Sequence, residues 1–210
     1  EASRSDTVQP INPSSVVYCY GRNDAPYLGS GVLVLTGTTY ATMGQELPRM
    51  QIGTGLDNQT VQVTMSQSAA CVLLRDGSVK CSGSADYGQL FAGNVFTRGI
   101  RWTSFWGDAL PFASIVGPSD GRVVKLAGGN KGSGHHCAVL SSGRLKCAGL
   151  GTSGQLGLGN NAPVGAQFAE RGAGLPYVSF GSTSDDAIVD AATGLAFTVV
   201  LQRNGVVRAF

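Results

Sequence analysis

Four of the five cysteines form two pairs with the same spacing. Cys71 and Cys81 are ten residues apart, as are Cys137 and Cys147. Between the members of each pair, two short apolar runs flank a turn that ends in glycine. A three-residue hairpin loop of this type places the two cysteines opposite each other in a non-hydrogen-bonded pair, where side chains approach most closely. We therefore predict two cross-strand disulfides, Cys71–Cys81 and Cys137–Cys147.

His135 and His136 are the only histidines of the chain, and they stand directly before Cys137. A metal site would require all three side chains to converge. Because neighbouring residues of a strand point to opposite faces, these three cannot do so. We therefore predict no metal site here and no catalysis that depends on histidine.

The segment Gly149–Gly154 matches the dinucleotide-binding fingerprint letter for letter. The functional motif opens a helix whose N-terminus meets the pyrophosphate. Here further glycines and Pro163 follow, and these cannot sustain a helix. We therefore predict turns at these glycines and no cofactor. The carboxylates Asp185 and Asp186 are interpreted as a solvated pair in a loop, so no catalytic residue is predicted.

The segment Asn94–Gly107 holds both tryptophans, two phenylalanines and two arginines. The comparable connections, residues 31–46 and 160–174, contain no tryptophan. Since Trp and Arg are enriched at the centres of protein interfaces, we expect this segment to contact a protein partner. The alternative is that its aromatic side chains fill the core of the adjacent repeat. Two arginines make too weak a positive surface for nucleic acid. The residues expected to contact the partner are Arg98, Arg101, Trp102, Phe105 and Trp106.

The tripeptide that begins at Asn58 is an acceptor sequence for N-glycosylation and lies in a predicted loop. Together with the cysteine pairs, it favours an oxidising compartment, such as the extracellular space, the secretory pathway or an organelle lumen. The fifth cysteine, Cys19, has no cysteine partner, because the hairpin register would place Gln9 opposite it.

The residues above lie within a unit that recurs every 62 to 66 residues. Cys71–Leu90 aligns with Cys137–Leu156 at an offset of 66, and Phe197–Phe210 and Val16–Gly29 are partial copies. Each unit contains short apolar runs bounded by Gly, Asn and Asp, without a helical period. Four short strands at a fixed period are typical of a β-propeller blade. We predict an all-β chain that forms an incomplete β-propeller of four-stranded blades.

We divide the chain into the closing half of one blade (1–31), two blades (32–93 and 94–159) and a partial blade (160–210), all in one propeller domain. Since propellers typically have four to eight blades, we expect a fragment of a longer chain. Charged residues make up only 13% of the sequence and the net charge is +2. This balance gives no reason to expect nucleic acid, and the apolar runs are too short for membrane insertion.

The segments Cys137–Gly149 and Gly154–Asn160 resemble the repeat of the regulator of chromosome condensation family, in its cysteine-containing branch. The family often has Trp-Gly where this chain has Tyr20-Gly21, Ser82-Gly83 and Ala148-Gly149. The resemblance covers residues 16–210 and implies a propeller that usually closes with seven blades. It also implies that a histidine next to Cys137 forms hydrogen bonds between blades.

The family includes an exchange factor for the GTPase Ran, ubiquitin-ligase subunits and secreted inhibitors, so the resemblance does not specify a function. We predict a non-enzymatic protein-binding or scaffolding module, in a larger extracellular or lumenal assembly of several subunits. One alternative is a guanine-nucleotide exchange factor for a small GTPase, which would work in a reducing compartment and keep Cys71 and Cys81 reduced. The other alternative is a secreted carbohydrate-binding propeller.

Overall fold

The computed structural model of the chain describes residues 16–19, 43, 47, 49–50, 52–56, 59–98, 107–129, 133–180 and 187–210. Ten strands form the regular structure of this region: β1 Thr60–Met65, β2 Ala69–Leu74, β3 Val79–Gly83, β4 Val123–Gly128, β5 His135–Leu140, β6 Leu145–Gly149, β7 Tyr177–Val178, β8 Ile188–Thr193, β9 Thr198–Gln202 and β10 Val207–Ala209. Single 3-10 turns lie at Gly107–Ala109 and Gly172–Gly174. No helix in these ranges is long and apolar enough to cross a membrane. The all-β prediction is confirmed.

The strands form three antiparallel sheets built on the same hairpin. Sheet 1 has the order β1-β2-β3, sheet 2 the order β4-β5-β6-β7 and sheet 3 the order β10-β9-β8. In each sheet, the two strands of the repeated hairpin (β2-β3, β5-β6 or β9-β10) are joined by the turn predicted from the sequence. The turn closes with Gly77, Gly143 or Gly205, whose φ angles are 92°, 77° and 84°. Glycine is favoured there because other residues are strained at positive φ.

Sheet 2 shows where a fourth strand comes from. β7 pairs with the outer edge of β6, although 27 residues separate Gly149 from Tyr177. Bridges between Lys80 and Phe112 and between Tyr18 and Arg49 take the same place in the two preceding units. Each connection therefore returns to the sheet that it has left. The blade boundaries at residues 31, 93 and 159 stay a prediction.

The first strands of the three sheets are joined to one another at an equivalent position. Each has a register shift at its second residue, between Thr60 and Gln62, Val123 and Lys125, or Ile188 and Asp190. The side chain of Gln62 binds the backbone C=O and N–H of Leu126 at 2.8 and 2.9 Å. Lys125 forms an ion pair of 2.6 Å with Asp190. The repeated bulge thus places a polar side chain of sheet 1 against sheet 2 and one of sheet 2 against sheet 3.

The core lies between the stacked sheets. Every residue of β2, β3, β5 and β6 is buried, on both faces of the strand. One cluster of apolar residues joins the three sheets and includes Leu73, Leu126, Leu145, Ile188 and Val200. A second cluster, with Cys19, Met50 and Ile52, covers the other face of β2. Burial on both faces is expected when neighbouring repeats stack, and the predicted incomplete array of propeller blades is confirmed.

Candidate functional site

The two predicted disulfides are present. Cys71 bonds to Cys81 and Cys137 to Cys147, in each case between directly opposed residues of the hairpin. All four residues are at most 1% exposed. The disulfides are therefore part of the core and are not reactive thiols.

Cys19 is a free cysteine within the part of the chain that the structure describes. Its side chain is buried against Met50 and Ile52. Burial raises the pKa of the thiol to about 11, so it is protonated at neutral pH. The thiolate form required for nucleophilic chemistry is therefore scarce.

His135 forms a hydrogen bond between sheet 2 and sheet 3. Its Nε2 lies 2.9 Å from the Thr198 hydroxyl, which in turn donates to the carbonyl oxygen of Gln155 at 2.8 Å. The side chain is fully buried. Desolvation lowers the pKa of His135 to about 4, so the imidazole is neutral at pH 7.

His136 forms the corresponding contact on the other face of sheet 2, towards sheet 1. Its Nδ1 lies 3.1 Å from the carbonyl oxygen of Gln89, which belongs to the loop after sheet 1. Since a carbonyl only accepts, Nδ1 carries the proton in the neutral ring. Burial lowers the pKa of His136 to about 4, and this effect outweighs the hydrogen bond to Gln89. The two histidines therefore point to opposite faces, as expected, and connect the sheet to both of its neighbours.

No group of three potential metal ligands occurs among the described residues. Near His135 and His136, the cysteine that could have served as a ligand, Cys137, is held in its disulfide.

A buried ionic cluster around Asp120 was not predicted from the sequence. Lys146 donates to the Asp120 carboxylate at 2.7 Å and to the carbonyl oxygens of Ile115 and Gly172 at 3.0 and 2.6 Å. Both charged side chains are 0% exposed. The same carboxylate accepts hydrogen bonds from the Gly117 N–H, at 2.6 Å, and from the Arg144 guanidinium and Tyr177 hydroxyl. One lysine thus fixes two connections to the edge of sheet 2.

The ionisation of Asp120 follows from these contacts. Desolvation by itself would raise the pKa of this carboxyl group. The hydrogen bonds from Gly117, Lys146 and Tyr177, together with the positive charge of Lys146, outweigh it and lower the pKa to about 2. Asp120 is therefore ionised throughout the physiological range, and it is a structural group with no proton to exchange near pH 7.

The sequence contains a periodic signal for this cluster. Lys80, Lys146 and Arg208 occupy the same hairpin position, and Asp57, Asp120 and Asp185 each stand three residues before a first strand. Lys80 behaves like Lys146, since its Nζ donates to the carbonyl oxygens of Ile52 and Gly107. Asp57 and Asp185 lie outside the described residues. A basic residue and an acidic residue repeated at the same period could have indicated the pair.

Of the five residues expected to contact a partner, the structure places one. Arg98 is 7% exposed, and its backbone pairs with Gly83 at the edge of sheet 1. Burial and the nearby charge of Arg171 lower its pKa. Arg98 therefore anchors the start of the segment. The other four, Arg101, Trp102, Phe105 and Trp106, lie outside the described residues, as do Asn58, Asp185 and Asp186.

Exposed aromatic side chains lie within the described part of this segment and in the equivalent connection. Phe96 is 66% exposed and Phe168 is 75% exposed. The guanidinium of Arg171 lies 4.0 Å from the centre of the Phe168 ring. Aromatic residues and arginine are enriched at protein interfaces, so the Phe168–Arg171 pair is compatible with a contact surface.

The residues that match the nucleotide fingerprint form turns. Gly149 ends β6 and pairs with Val164, and Gly154 has a φ of 81° within a turn that no helix follows. The prediction that these glycines shape loops is confirmed.

Comparison with known proteins identifies the fold. No protein-family model and no curated protein matches the sequence. Among solved structures, human WBSCR16 is 18% identical, with a TM-score of 0.62 over 94% of this chain and 42% of its own. Prp20p from Saccharomyces cerevisiae is 17% identical, with a TM-score of 0.58 over 95% and 42%. Yeast RCC1 (Prp20) bound to Kap60 gives 18%, a TM-score of 0.54, and coverages of 92% and 39%.

The chain thus spans about two fifths of the length of these structures. At this level of identity the likeness concerns architecture, and it agrees with the repeat, the hairpin register and the stacked sheets described above. The cysteine-containing branch stays a prediction. The chain has the RCC1-like repeat fold of a β-propeller.

Proposed function

We propose that the chain is a non-enzymatic protein-binding or scaffolding module within a larger assembly. The observation that carries this proposal is the division between its interior and its loops. The buried histidines and the Asp120–Lys146 pair form hydrogen bonds between structural elements, whereas large aromatic side chains, Phe96 and Phe168, are exposed on the connections. Loops carried by a rigid array are suited to binding a partner, because they vary without disturbing the core.

The partner contact proposed from the sequence is the segment 94–107. Arg98 and its backbone bridge to Gly83 attach the start of this segment to sheet 1. Phe96, two residues before Arg98 in the same segment, is exposed. Trp102 and Trp106, followed along the chain by the 3-10 turn at Gly107–Ala109, would supply the aromatic anchors that dominate interface energetics.

Two further observations support the proposal. Prp20p was characterised for its binding to Gsp1p and histones, and yeast RCC1 (Prp20) was solved bound to Kap60. The same fold is thus used for binding proteins. The two disulfides support an oxidising compartment. A guanine-nucleotide exchange factor for a small GTPase would instead work in a reducing compartment. No observation on the described residues favours the exchange factor or the carbohydrate-binding propeller over the scaffold.

The test begins with affinity capture by the wild-type protein to identify a partner, and binding is then measured with that partner purified. Trp102→Ala and Trp106→Ala should each weaken binding by about 2 kcal/mol or more, with an unchanged melting temperature. Phe197→Ala, at an aromatic residue 52% exposed in the loop between β8 and β9, is the matched control and should bind as wild type. If the tryptophans instead fill the core, each truncation would lower stability by about 3–5 kcal/mol and leave the affinity of the folded protein intact.

A further inference from the structure

The connection after sheet 2 runs directly across the loop after sheet 1. A methyl group placed on Gly93 would lie 2.2 Å from Cδ and 2.3 Å from Cγ of Arg171, and 3.0 Å from the carbonyl oxygen of Gln167. Because Gly93 has no side chain, the aliphatic part of Arg171 can lie on its backbone. The two segments are therefore in direct contact at this point.

Phe96 is held in place beside this contact. Its backbone N–H donates to the side-chain oxygen of Asn94 at 3.1 Å. Two residues later, Arg98 exchanges both backbone hydrogen bonds with Gly83, at 2.8 and 3.0 Å. Although the backbone is fixed on both sides, Phe96 is 66% exposed and Val95 is 49% exposed. The loop thus presents two apolar side chains to solvent from a fixed backbone.

The guanidinium of Arg171 has no carboxylate partner among the described residues. It lies 4.0 Å from the centre of the Phe168 ring, and its Nε is buried without a hydrogen-bond acceptor. The carboxylate of Glu170 instead accepts the N–H groups of Gly165 and Gln167, at 2.9 and 3.1 Å. Since a buried donor without an acceptor costs free energy, Arg171 would gain from an acceptor supplied by another molecule.

A second guanidinium adds positive charge below this surface. Arg98 is 7% exposed. Its pKa is lowered by burial and by the positive charge of Arg171, so the two guanidinium groups lie close enough to repel each other. An anion bound beside Arg171 would relieve that repulsion.

These side chains lie where two described repeats meet. Phe96 follows sheet 1 and stays exposed, although the connection after sheet 2 lies against the same loop. Phe168 stacks on Arg171, which packs on Gly93 of the preceding repeat. The surface therefore belongs to the junction between the two repeats. We call Val95, Phe96, Phe168 and Arg171 the Phe96–Arg171 surface.

We propose that the Phe96–Arg171 surface binds an acidic segment of the protein partner, in which a carboxylate stands next to a large apolar side chain. This inference rests on the proposed function and adds the chemistry of the partner. The carboxylate pairs with the edge of the Arg171 guanidinium, whose planar arrangement of donors matches two carboxylate oxygens. The apolar side chain packs on Val95 and Phe96.

A sulfated polysaccharide fits this surface less well. Polyanions bind to clefts or strips that carry several accessible cations. Here one of the two guanidinium groups, that of Arg98, is buried. The side chains of Val95 and Phe96 offer no hydrogen bond to a sugar or a sulfate group, whereas they provide contact area for an apolar side chain of a protein.

The proposal can be tested by NMR with the short peptide acetyl-Glu-Phe-Glu-amide and the whole ¹⁵N-labelled 210-residue chain. Binding is followed at the Nε–H signal of Arg171, which burial protects from exchange with water. We expect a saturable shift below about 10 mM peptide. The neutral peptide acetyl-Gln-Phe-Gln-amide is the matched probe and should bind roughly tenfold more weakly, because the charge-assisted hydrogen bonds are lost.

Two variants test the residues of the surface separately. Arg171→Gln should weaken binding of the glutamate peptide roughly tenfold, as followed at the backbone N–H signal of Phe96. Phe96→Ala should also weaken it, as followed at Arg171. Arg203→Gln, at an exposed arginine in the turn between β9 and β10, is the matched control and should bind as wild type. Since Phe96 is mostly exposed, its truncation stays decisive even if Arg171→Gln impairs folding.

The absence of a saturable shift, or equal binding of the two peptides, would overturn the proposal. So would equal binding by wild type, Arg171→Gln and Phe96→Ala. Tighter binding of a sulfated heparin disaccharide than of the glutamate peptide would also overturn it, because the ligand would then be a glycan. The test requires no natural partner. Its failure, with partner binding still weakened by Trp102→Ala, would therefore refute this inference and leave the proposed function standing.

Discussion

The ionic residues of this chain differ in what they contribute to stability, although they look alike in the sequence. The Lys146–Asp120 pair is completely buried, at 2.7 Å. The Lys125–Asp190 pair has an equally short distance of 2.6 Å, but its side chains are 39% and 44% exposed. An exposed pair gains little because water already solvates both charges, whereas breaking a buried pair leaves one charge without compensation.

We therefore expect Asp120→Ala to lower the free energy of unfolding by about 3–5 kcal/mol, because Lys146 would remain buried without its counter-ion. Asp190→Ala, the control from the exposed pair, should cost about 1 kcal/mol or less. Urea denaturation of both variants measures the difference. Equal losses would show that burial does not set the strength of these pairs.

The cysteine register was predictable at the residue scale because it depends on a turn of three residues and on strand alternation, which are both local. The Asp120 cluster was not predicted, because Lys146 meets Ile115, Asp120 and Gly172 only after two connections have folded back on sheet 2. Contacts between segments that far apart leave only a faint periodic trace in the sequence.

At the scale of elements, the hairpin is the unit that the sequence specifies well. The three-residue turn with its glycine, the alternation of hydrogen-bonded and non-hydrogen-bonded residue pairs, and the spacing of the cysteines all predict the same register. The structure confirms it. The two-residue strand β7 could not have been recognised from its pattern, because two residues show no alternation. It comes directly after Leu175 and Pro176, and it pairs with a sheet edge that only the folded chain provides.

The disulfides should add moderate stability to hairpins that already form locally. The third hairpin has Val199 opposite Ala209 at the position of the cysteines. The double change Cys71→Val/Cys81→Ala copies that pair and should lower the free energy of unfolding by about 2–3 kcal/mol, the chain-entropy value for a loop of this length. Denaturation under non-reducing conditions measures it. When both proteins are denatured under fully reducing conditions, the variant should differ much less from the wild type. An equal difference under reducing conditions would mean that side-chain packing, and not the disulfide, is responsible.

Packing between a loop and the next connection gives a prediction about two glycines with the same backbone conformation. Gly88→Ala and Gly154→Ala both place a methyl group on a residue with φ near 80°. That strain costs roughly 1–2 kcal/mol in each case. At Gly88 the methyl would also meet the backbone of Gly165, which should add about 1–3 kcal/mol, whereas no described residue is near Gly154. Thermal denaturation of the two variants should separate them, and identical melting temperatures would refute the close approach.

At the scale of the whole molecule, hydrogen bonds between neighbouring sheets make the stacked array one structural unit. His135 reaches Thr198 of sheet 3, and His136 reaches the loop after sheet 1. Both rings are 0% exposed. Sheets in a repeat protein contact only their neighbours, so such contacts determine how far unfolding of one sheet spreads to the next.

The stability of the array should therefore depend on pH through these two histidines. Desolvation lowers the pKa of each to about 4, whereas the unfolded chain has a histidine pKa of about 6.5. Between those values the unfolded state binds protons that the folded state does not, so stability falls as the pH falls from about 6.5 towards 4. From pH 7.5 to 5 each histidine should cost about 2 kcal/mol, at 1.36 kcal/mol for each pH unit of difference.

Urea denaturation at pH 7.5 and pH 5 measures this loss, and NMR titration of the imidazole signals gives the two pKa values directly. His136→Gln removes one of the two titrating groups, so it should reduce the difference between the two pH values by about half. Asp120, with a pKa of about 2, stays ionised across this window and leaves the difference unchanged. Imidazole signals that titrate with midpoints near 6.5 would show that the rings are hydrated, and the array would then lose no stability between these pH values.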